Sequence, residues 1–247
     1  MRTLLLLLWS AIACQAYDMR FRNLRSNRDG SILYFIADAR LAGTDQPFHG
    51  KIFAFGEKGI ETVVSLPRIV NDAPDPPASN VLSMDASFDG EVFAYMLTPL
   101  CDQIQPCNVS TPPRSVIARR NGQVLWEGAG LVRLSADGRH ALISQYSAMF
   151  RLDLSSLTRK LILSGSGIGA IAPGGLVLLN FGRSEYHLFR EGEWETHSAR
   201  SVAMLSADGS TVVYAAPNST EWQARNLRTG TEIPVEGEPI MVSENGT

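Results

Sequence analysis

Short apolar runs alternate with compact polar segments along most of the chain. Five runs rich in leucine, β-branched and aromatic residues are three to five residues long and cover 32–36, 92–95, 141–143, 176–179 and 212–214. Runs of this length, bounded by Gly, Asp and Ser, are typical of β-strands and are too brief for helices. The pattern therefore predicts an all-β chain with no helix.

A recurring polar phrase precedes these runs. The sequence Ser-Ala-Asp-Gly occurs at 135–138 and again at 206–209, each time after a leucine, and weaker copies lie at 27–30, 87–90 and 172–175. In tight turns, Ser and Asp side chains bond nearby backbone N–H groups, and Gly accepts the positive φ that a hairpin needs. Each copy therefore predicts a strand, a turn and a second strand.

The spacing of these turns predicts the architecture. A further turn follows each phrase, so each unit holds four antiparallel strands, and the glycines of successive first turns are 60, 48, 37 and 34 residues apart. The two shorter spacings match the period of a four-stranded propeller blade, and the longer two add insertions. A β-sandwich also uses short strands but gives no reason for one phrase to return in register. We predict a β-propeller whose blades lie at about 19–66, 80–128, 129–165, 166–200 and 201–237, with the start of a sixth at 238–247.

The repeated residues also carry a family resemblance. The phrase Leu-Ser-Ala-Asp-Gly followed by an apolar strand, together with the later segments 152–154 and 226–230, resembles the TolB-type WD40-like β-propeller repeat of bacterial exported proteins. The resemblance covers about 19–247 and is strongest in the third and fifth blades. Ser-Ala or Ser-Phe stands where the family often has Ser-Pro, and Gly174 replaces the Asp. The resemblance implies a fold and an exported location but no single activity, since the family includes docking scaffolds and accessory domains of peptidases.

The N-terminus has the pattern of a secretory signal peptide. Arg2 precedes an apolar stretch at 4–13, and Cys14-Gln15-Ala16 provides a small-x-small end. We predict cleavage after Ala16 and a periplasmic or secreted mature chain. The alternatives are a buried N-terminal helix and a lipoprotein anchored through Cys14. No later apolar run is long enough for a transmembrane helix, so we expect none in the mature chain.

The two remaining cysteines and the charge limit the classes of partner. Cys101 and Cys107 lie six positions apart, and in an oxidising compartment they are most simply a disulfide that closes a surface loop. The formal net charge is −3 and no run of Lys or Arg occurs. This charge pattern argues against a nucleic-acid surface or a polybasic membrane patch.

No motif in the sequence predicts catalysis. There is no Gly-x-Ser-x-Gly elbow for a serine nucleophile, and the four histidines show no zinc-ligand spacing. Residues 165–170 fit a dinucleotide fingerprint, which requires a helix that Pro173 and the two following glycines forbid. We therefore predict no cofactor, no metal and no enzymatic activity. The histidines are expected at surface or hairpin positions, and Trp126, Trp194 and Trp222 in packing rather than in ligand stacking.

Long insertions predict where a partner binds. Turns of a four-stranded meander alternate between its two ends, so the second turns share one end with the connections between blades. The insertions at 38–50, 67–79 and 97–114 all belong to that end. Extra loop length on a rigid scaffold commonly carries binding function, although loops are also tolerated without one. The candidate contacts are Arg68, Asp72, Asp75, Asp102, Gln103, Gln105 and Arg114.

The sequence as a whole favours an exported, non-catalytic propeller. Such a protein would bind a protein, a small molecule or a carbohydrate through the end that carries the insertions. The alternative is a propeller that gates substrate for a prolyl-peptidase-like hydrolase domain encoded beyond Thr247.

Overall fold

Five four-stranded antiparallel sheets make up the structure, a computed structural model. The fold below is that of residues 17–41, 51–64, 79–99, 113–165, 167–181, 184–217, 219, 221–237 and 239. Strand order follows the chain within every sheet. Among these residues the nearest approach to a helix is a three-residue 3-10 turn at Pro173–Gly175, in which Gly174 and Gly175 both have positive φ. It replaces the Ser-Ala-Asp-Gly phrase in blade 4, and glycine accepts positive φ without a Cβ clash.

Each sheet is one blade, named in chain order. Blade 1 contains β1 (Tyr17–Ser26), β2 (Leu33–Leu41), β3 (Lys51–Gly56) and β4 (Gly59–Val64). Blade 2 contains β5 (Ser79–Ala86), β6 (Val92–Pro99), β7 (Arg114–Arg119) and β8 (Val124–Ala129). Blade 3 contains β9 (Leu131–Leu134), β10 (His140–Gln145), β11 (Ala148–Asp153) and β12 (Arg159–Ser164). Blade 4 contains β13 (Ile168–Ile171), β14 (Val177–Phe181), β15 (Glu185–Arg190) and β16 (Glu193–Ser198). Blade 5 contains β17 (Met204–Leu205), β18 (Thr211–Ala215), β19 (Trp222–Asn226) and β20 (Glu232–Val235).

Burial explains why the second strands read as continuous apolar runs. Every residue of β18 is buried, and so are the first four of β14, which packs against blade 3 on one face and blade 5 on the other. The fourth strands lie at the outside, and β16 and β20 contain no buried residue. A strand buried on both faces loses the polar and apolar alternation of a strand with one solvated face.

Apolar clusters between successive blades hold the propeller together. Blades 1 and 2 share a cluster in which Tyr34 packs edge-on against Phe93, with ring centroids 5.3 Å apart. Similar clusters join blades 2 and 3, blades 3 and 4, and blades 4 and 5. The first strands of successive blades contact one another, which places them innermost in the ring. The prediction of an all-β propeller with five four-stranded antiparallel blades is confirmed.

A buried carboxylate ties three inner strands together. Asp85 on β5 accepts hydrogen bonds from Arg25 Nε on β1 and from the backbone N–H of Leu134 on β9, both at 2.9 Å. A buried charge is tolerated only where it is paired and hydrogen-bonded, and both carboxylate oxygens of Asp85 are. Asp85 therefore fixes blades 1, 2 and 3 relative to one another near the centre.

Candidate functional site

The meander gives the propeller two chemically different ends. The turn end carries the first and third turns of each blade. The crossing end carries the second turns and the connections from one blade to the next.

The same side-chain hydrogen bonds build the first turns of blades 2, 3 and 5 at the turn end. Ser135 Oγ donates to Asp137 Oδ1 at 2.6 Å and accepts from the backbone N–H of His140 at 3.0 Å, while Asp137 Oδ1 accepts from Arg139 N at 3.1 Å. The copies that begin at Ser87 and Ser206 repeat this arrangement. The recurring phrase is thus a structural turn whose polar side chains are already satisfied within the turn.

The third turns use a related arrangement of side chains. Asp153 accepts hydrogen bonds from the backbone and side chains of Ser155 and Ser156. The Ser155 hydroxyl, followed by the Ser156 amide, holds the pKa of Asp153 well below its usual range. In blade 5, Asn226 accepts from the N–H groups of Arg228 and Thr229 in the same way. An amide and a carboxylate therefore build equivalent turns.

Connections at the crossing end differ greatly in length. Three are long: residues 42–50 join β2 to β3, 65–78 join β4 to β5, and 100–113 join β6 to β7. By contrast, Gly130 alone joins blade 2 to blade 3, and two residues close the second turn of blade 3. The extra length therefore concentrates at one end of blades 1 and 2.

Most of the predicted contact residues lie outside the part of the chain described above. Within the described strands, Arg114 is the first residue of β7, and its Nη2 forms an ion pair with Glu127 Oε1 on β8. The adjacent Ser115 Oγ donates to the Gly130 carbonyl. Arg114 is therefore held at the base of the 100–113 connection. The predictions outside the described residues are Arg68, Asp72, Asp75, Asp102, Gln103, Gln105, the Cys101–Cys107 pair, the leader at 1–16 and, apart from residue 239, the sixth-blade start.

A groove of about 760 Å³ opens at the crossing end of blade 5. The connection from blade 4 forms one side of it, and the outer hairpin of β19 and β20 forms the other. Its volume falls within the range of small-molecule sites. The lining residues are Arg200, Ser201, Ala215, Glu221, Trp222, Pro234, Val235, Glu236 and Gly237.

Sequence reasoning missed this groove. Its lining comes from chain segments at 200–201, 215, 221–222 and 234–237, none of which forms a recognisable motif. Trp222 was the one available signal, and it was assigned to packing. Trp126 does pack against the apolar cluster between blades 2 and 3. Trp194 lies 5.0 Å from the Phe189 ring and is 39% exposed.

A polar cluster between blades 4 and 5 was also missed. His197 stacks on Tyr186 with centroids 5.0 Å apart, and Arg225 donates to His197 Nδ1 at 2.9 Å. Tyr214 OH donates to Glu232 at 2.8 Å. Burial raises the pKa of Tyr186 to about 12 and, together with the hydrogen bond to Glu232, also raises that of Tyr214. His197 therefore contributes to the blade interface instead of being an ordinary surface residue.

The described residues contain no group of three or more His, Cys, Asp and Glu side chains placed to hold a metal ion. Residues 168–170 of the dinucleotide fingerprint belong to strand β13 and not to the helix that a pyrophosphate site needs. Across the same described part of the chain, no helix has the length and apolar character required to cross a bilayer.

Comparison with known proteins identifies the fold but no family. No protein-family model matches the chain, and no curated protein matches it in sequence. Hsv2 of Kluyvelomyces marxianus is similar, with a TM-score of 0.57 and 10% identity over 93% of this chain and 68% of Hsv2. A prolyl endopeptidase gives a TM-score of 0.58 and 11% identity over 92% of this chain and 37% of its own. The β-propeller domain of the trilobed protease from Pyrococcus furiosus gives 0.55 and 11%, over 88% of this chain and 71% of that domain. Identities this low show a shared fold, and the TolB-type assignment stays a prediction.

Proposed function

We propose that this chain is an exported, non-catalytic β-propeller that binds a partner through the crossing end of blades 1 and 2. One observation carries the proposal: the three long connections, at 42–50, 65–78 and 100–113, all leave and re-enter the sheets at that end. Binding residues are commonly found on loops positioned by a rigid scaffold.

Residue chemistry favours a polar protein surface as the partner. The connections carry Asp72, Asp75 and Asp102 together with Gln103 and Gln105. Carboxylates and amides provide many hydrogen-bond acceptors and a local negative charge. We expect a partner that presents hydrogen-bond donors and some positive charge.

Site-specific photo-crosslinking tests the binding end. A photoreactive residue at Gln103 samples the 100–113 connection, and one at Thr229 in the turn end is the matched control. Crosslinks to a discrete partner from position 103 and none from position 229 are expected. The reverse pattern would contradict the proposal.

Shortening the connection tests whether it is required. Replacing 100–113 with Asn-Gly is expected to abolish crosslinking from a second probe at Asp72, with little change in the melting temperature. The last pair between β6 and β7 is Leu97 with Arg114, so Thr98, Pro99, Asn and Gly would form a four-residue hairpin loop and the strands can still pair. Unchanged crosslinking would mean that this connection is not part of the site.

The alternative is a propeller that gates substrate for a hydrolase domain. Its support is that similar folds occur in a prolyl endopeptidase, of which this chain spans 37%, and in the propeller domain of a protease. The intact mass of the native gene product separates the two functions. A mass equal to residues 17–247, lower by about 2 Da before reduction, supports export and a Cys101–Cys107 disulfide. A much heavier product supports the hydrolase alternative.

A further inference from the structure

The bottom of the groove in blade 5 is formed by a small, buried residue of the sheet. Ala215 is 2% exposed and pairs across the sheet with Trp222, which in turn pairs with Val235. The backbone N–H of Arg200 donates to the Ala215 carbonyl at 2.9 Å and fixes the blade connection above that floor. Because Ala215 has only a methyl group, the groove stays open beside the partly exposed Trp222 ring.

Several polar groups around this groove have unused hydrogen-bonding capacity. Arg200, Glu221 and Glu236 are exposed residues of the lining, and their charged groups make no hydrogen bond or ion pair with any residue that the structure describes. Ser201 also lines the groove, and its hydroxyl oxygen is buried with no hydrogen-bond partner among the described residues.

We propose that this groove binds a neutral oligosaccharide. A sugar ring presents an apolar C–H face suited to the Trp222 indole, and its hydroxyl groups both donate and accept hydrogen bonds. The Glu221 and Glu236 carboxylates only accept and the Arg200 guanidinium only donates, so the two kinds of lining group fit the two roles of a hydroxyl.

Charge and polarity disfavour other ligands. Two carboxylates against one guanidinium disfavour an anion, and an apolar ligand would desolvate these groups without pairing them. A basic peptide fits the carboxylates and the indole but is opposed by the Arg200 charge.

The inference rests on the proposed function in one respect, namely that the crossing end is the binding end. It adds a site on blade 5 that is distinct from the long connections of blades 1 and 2. The chain with 100–113 shortened separates the two. It is expected to lose partner crosslinking and to keep saccharide binding.

Saccharide binding is tested on the full mature chain with neutral gluco-, chito- and manno-oligosaccharides at millimolar concentration. Saturation-transfer NMR detects binding, and calorimetry measures affinity. Trp222→Leu is expected to weaken binding about tenfold or more, because it removes the stacking surface. Trp194→Leu, which changes a half-exposed tryptophan beside a third turn at the turn end, is the matched control and is expected to leave affinity unchanged.

A milder variant keeps the test decisive if Trp222→Leu fails to fold. Arg200→Gln removes the positive charge, keeps a shorter polar side chain and leaves the backbone bond to Ala215 in place, and it is expected to weaken binding about tenfold. The proposal is overturned if none of the sugars binds, or if both variants bind as the unmodified chain does. It is also overturned if a lysine-rich hexapeptide binds instead and loses affinity in a Glu221→Gln, Glu236→Gln double variant.

Discussion

The turn end and the crossing end of the same blades follow different rules. At the turn end, the phrase copies that begin at Ser87, Ser135 and Ser206 close their turns with the same serine and aspartate hydrogen bonds. At the crossing end, connections range from the single Gly130 to the segments at 65–78 and 100–113. The repeated serine and aspartate hydrogen bonds therefore shape the turns at the turn end, whereas the lengths of the connections at the crossing end are free to vary. This difference in freedom is the physical basis for the proposal that the crossing end binds a partner.

The largest expected effect comes from breaking a first turn. Gly209 and Gly230 both have φ +73°, but a Cβ on Gly209 would lie 2.8 Å from Ala172 Cβ, whereas one on Gly230 would meet nothing within 4 Å. Gly209→Ala is expected to destabilise the fold by about 2–4 kcal/mol, since backbone strain and overpacking add. Gly230→Ala should cost about 1 kcal/mol from strain alone. The two variants are compared by urea unfolding. Equal losses of unfolding free energy would contradict this prediction.

Loss of a buried pair of hydrogen bonds at the crossing end is expected to destabilise the fold nearly as much. Asn180 Oδ1 accepts from Ala203 N at 2.7 Å, and Asn180 Nδ2 donates to Ala203 O at 3.1 Å. Asn180→Ala leaves both buried backbone groups unpaired and should cost about 2–3 kcal/mol in urea unfolding. The half-buried Asn226, whose side-chain bonds to Arg228 and Thr229 are exposed, is the control, and Asn226→Ala is expected to cost about 1 kcal/mol or less. A smaller loss at Asn180 than at Asn226 would show that the connection between blades 4 and 5 is held by other contacts.

The repeated serine is expected to have an intermediate effect that a second substitution repairs. Ser206→Ala removes the acceptor for Thr211 N and the donor to Asp208, and should cost about 1–2 kcal/mol. Ser206→Asn is expected to recover part of this loss, because Asn27 Oδ1 accepts from Ile32 N at the same position in blade 1. Thermal unfolding measures both variants. If Ser206→Asn is no more stable than Ser206→Ala, the first turns of blades 1 and 5 are not equivalent.

The smallest expected effect is a change in acid sensitivity. The pKa of Asp153 is depressed in the folded chain, so its stabilising contribution is present above the unfolded value of about 3.9 and is lost as pH falls toward the folded value. Asp153→Asn should therefore flatten the fall in stability between about pH 5 and pH 2. Because the side chain is 40% exposed, the change at pH 7 should be below about 1 kcal/mol. Urea unfolding at a series of pH values measures this change. If stability falls with acid in Asp153→Asn as it does in the unmodified chain, the assignment is contradicted.

The fold was predictable because its signals are local. Each phrase contains its own turn chemistry within four or five residues, and the apolar run that follows is a complete strand. The Cys101–Cys107 pair and the contacts proposed on the long connections are still predictions. The groove and the polar cluster of Tyr186, His197 and Arg225 were missed because their members lie on different strands. Only the pairing of β19 with β18 and β20 brings Trp222 beside Ala215 and Val235.

The sequence by itself determined the strands, the turns and the number of repeats, because hairpin chemistry depends on neighbouring residues. The tertiary structure decided which polar groups stay unpaired. Asp85 is satisfied by strands from two other blades, whereas Arg200, Glu221 and Glu236 find no partner in the part of the chain that the structure describes. Pairing across blades depends on how whole sheets pack, and the energy of that packing is spread over many apolar contacts that no short motif encodes.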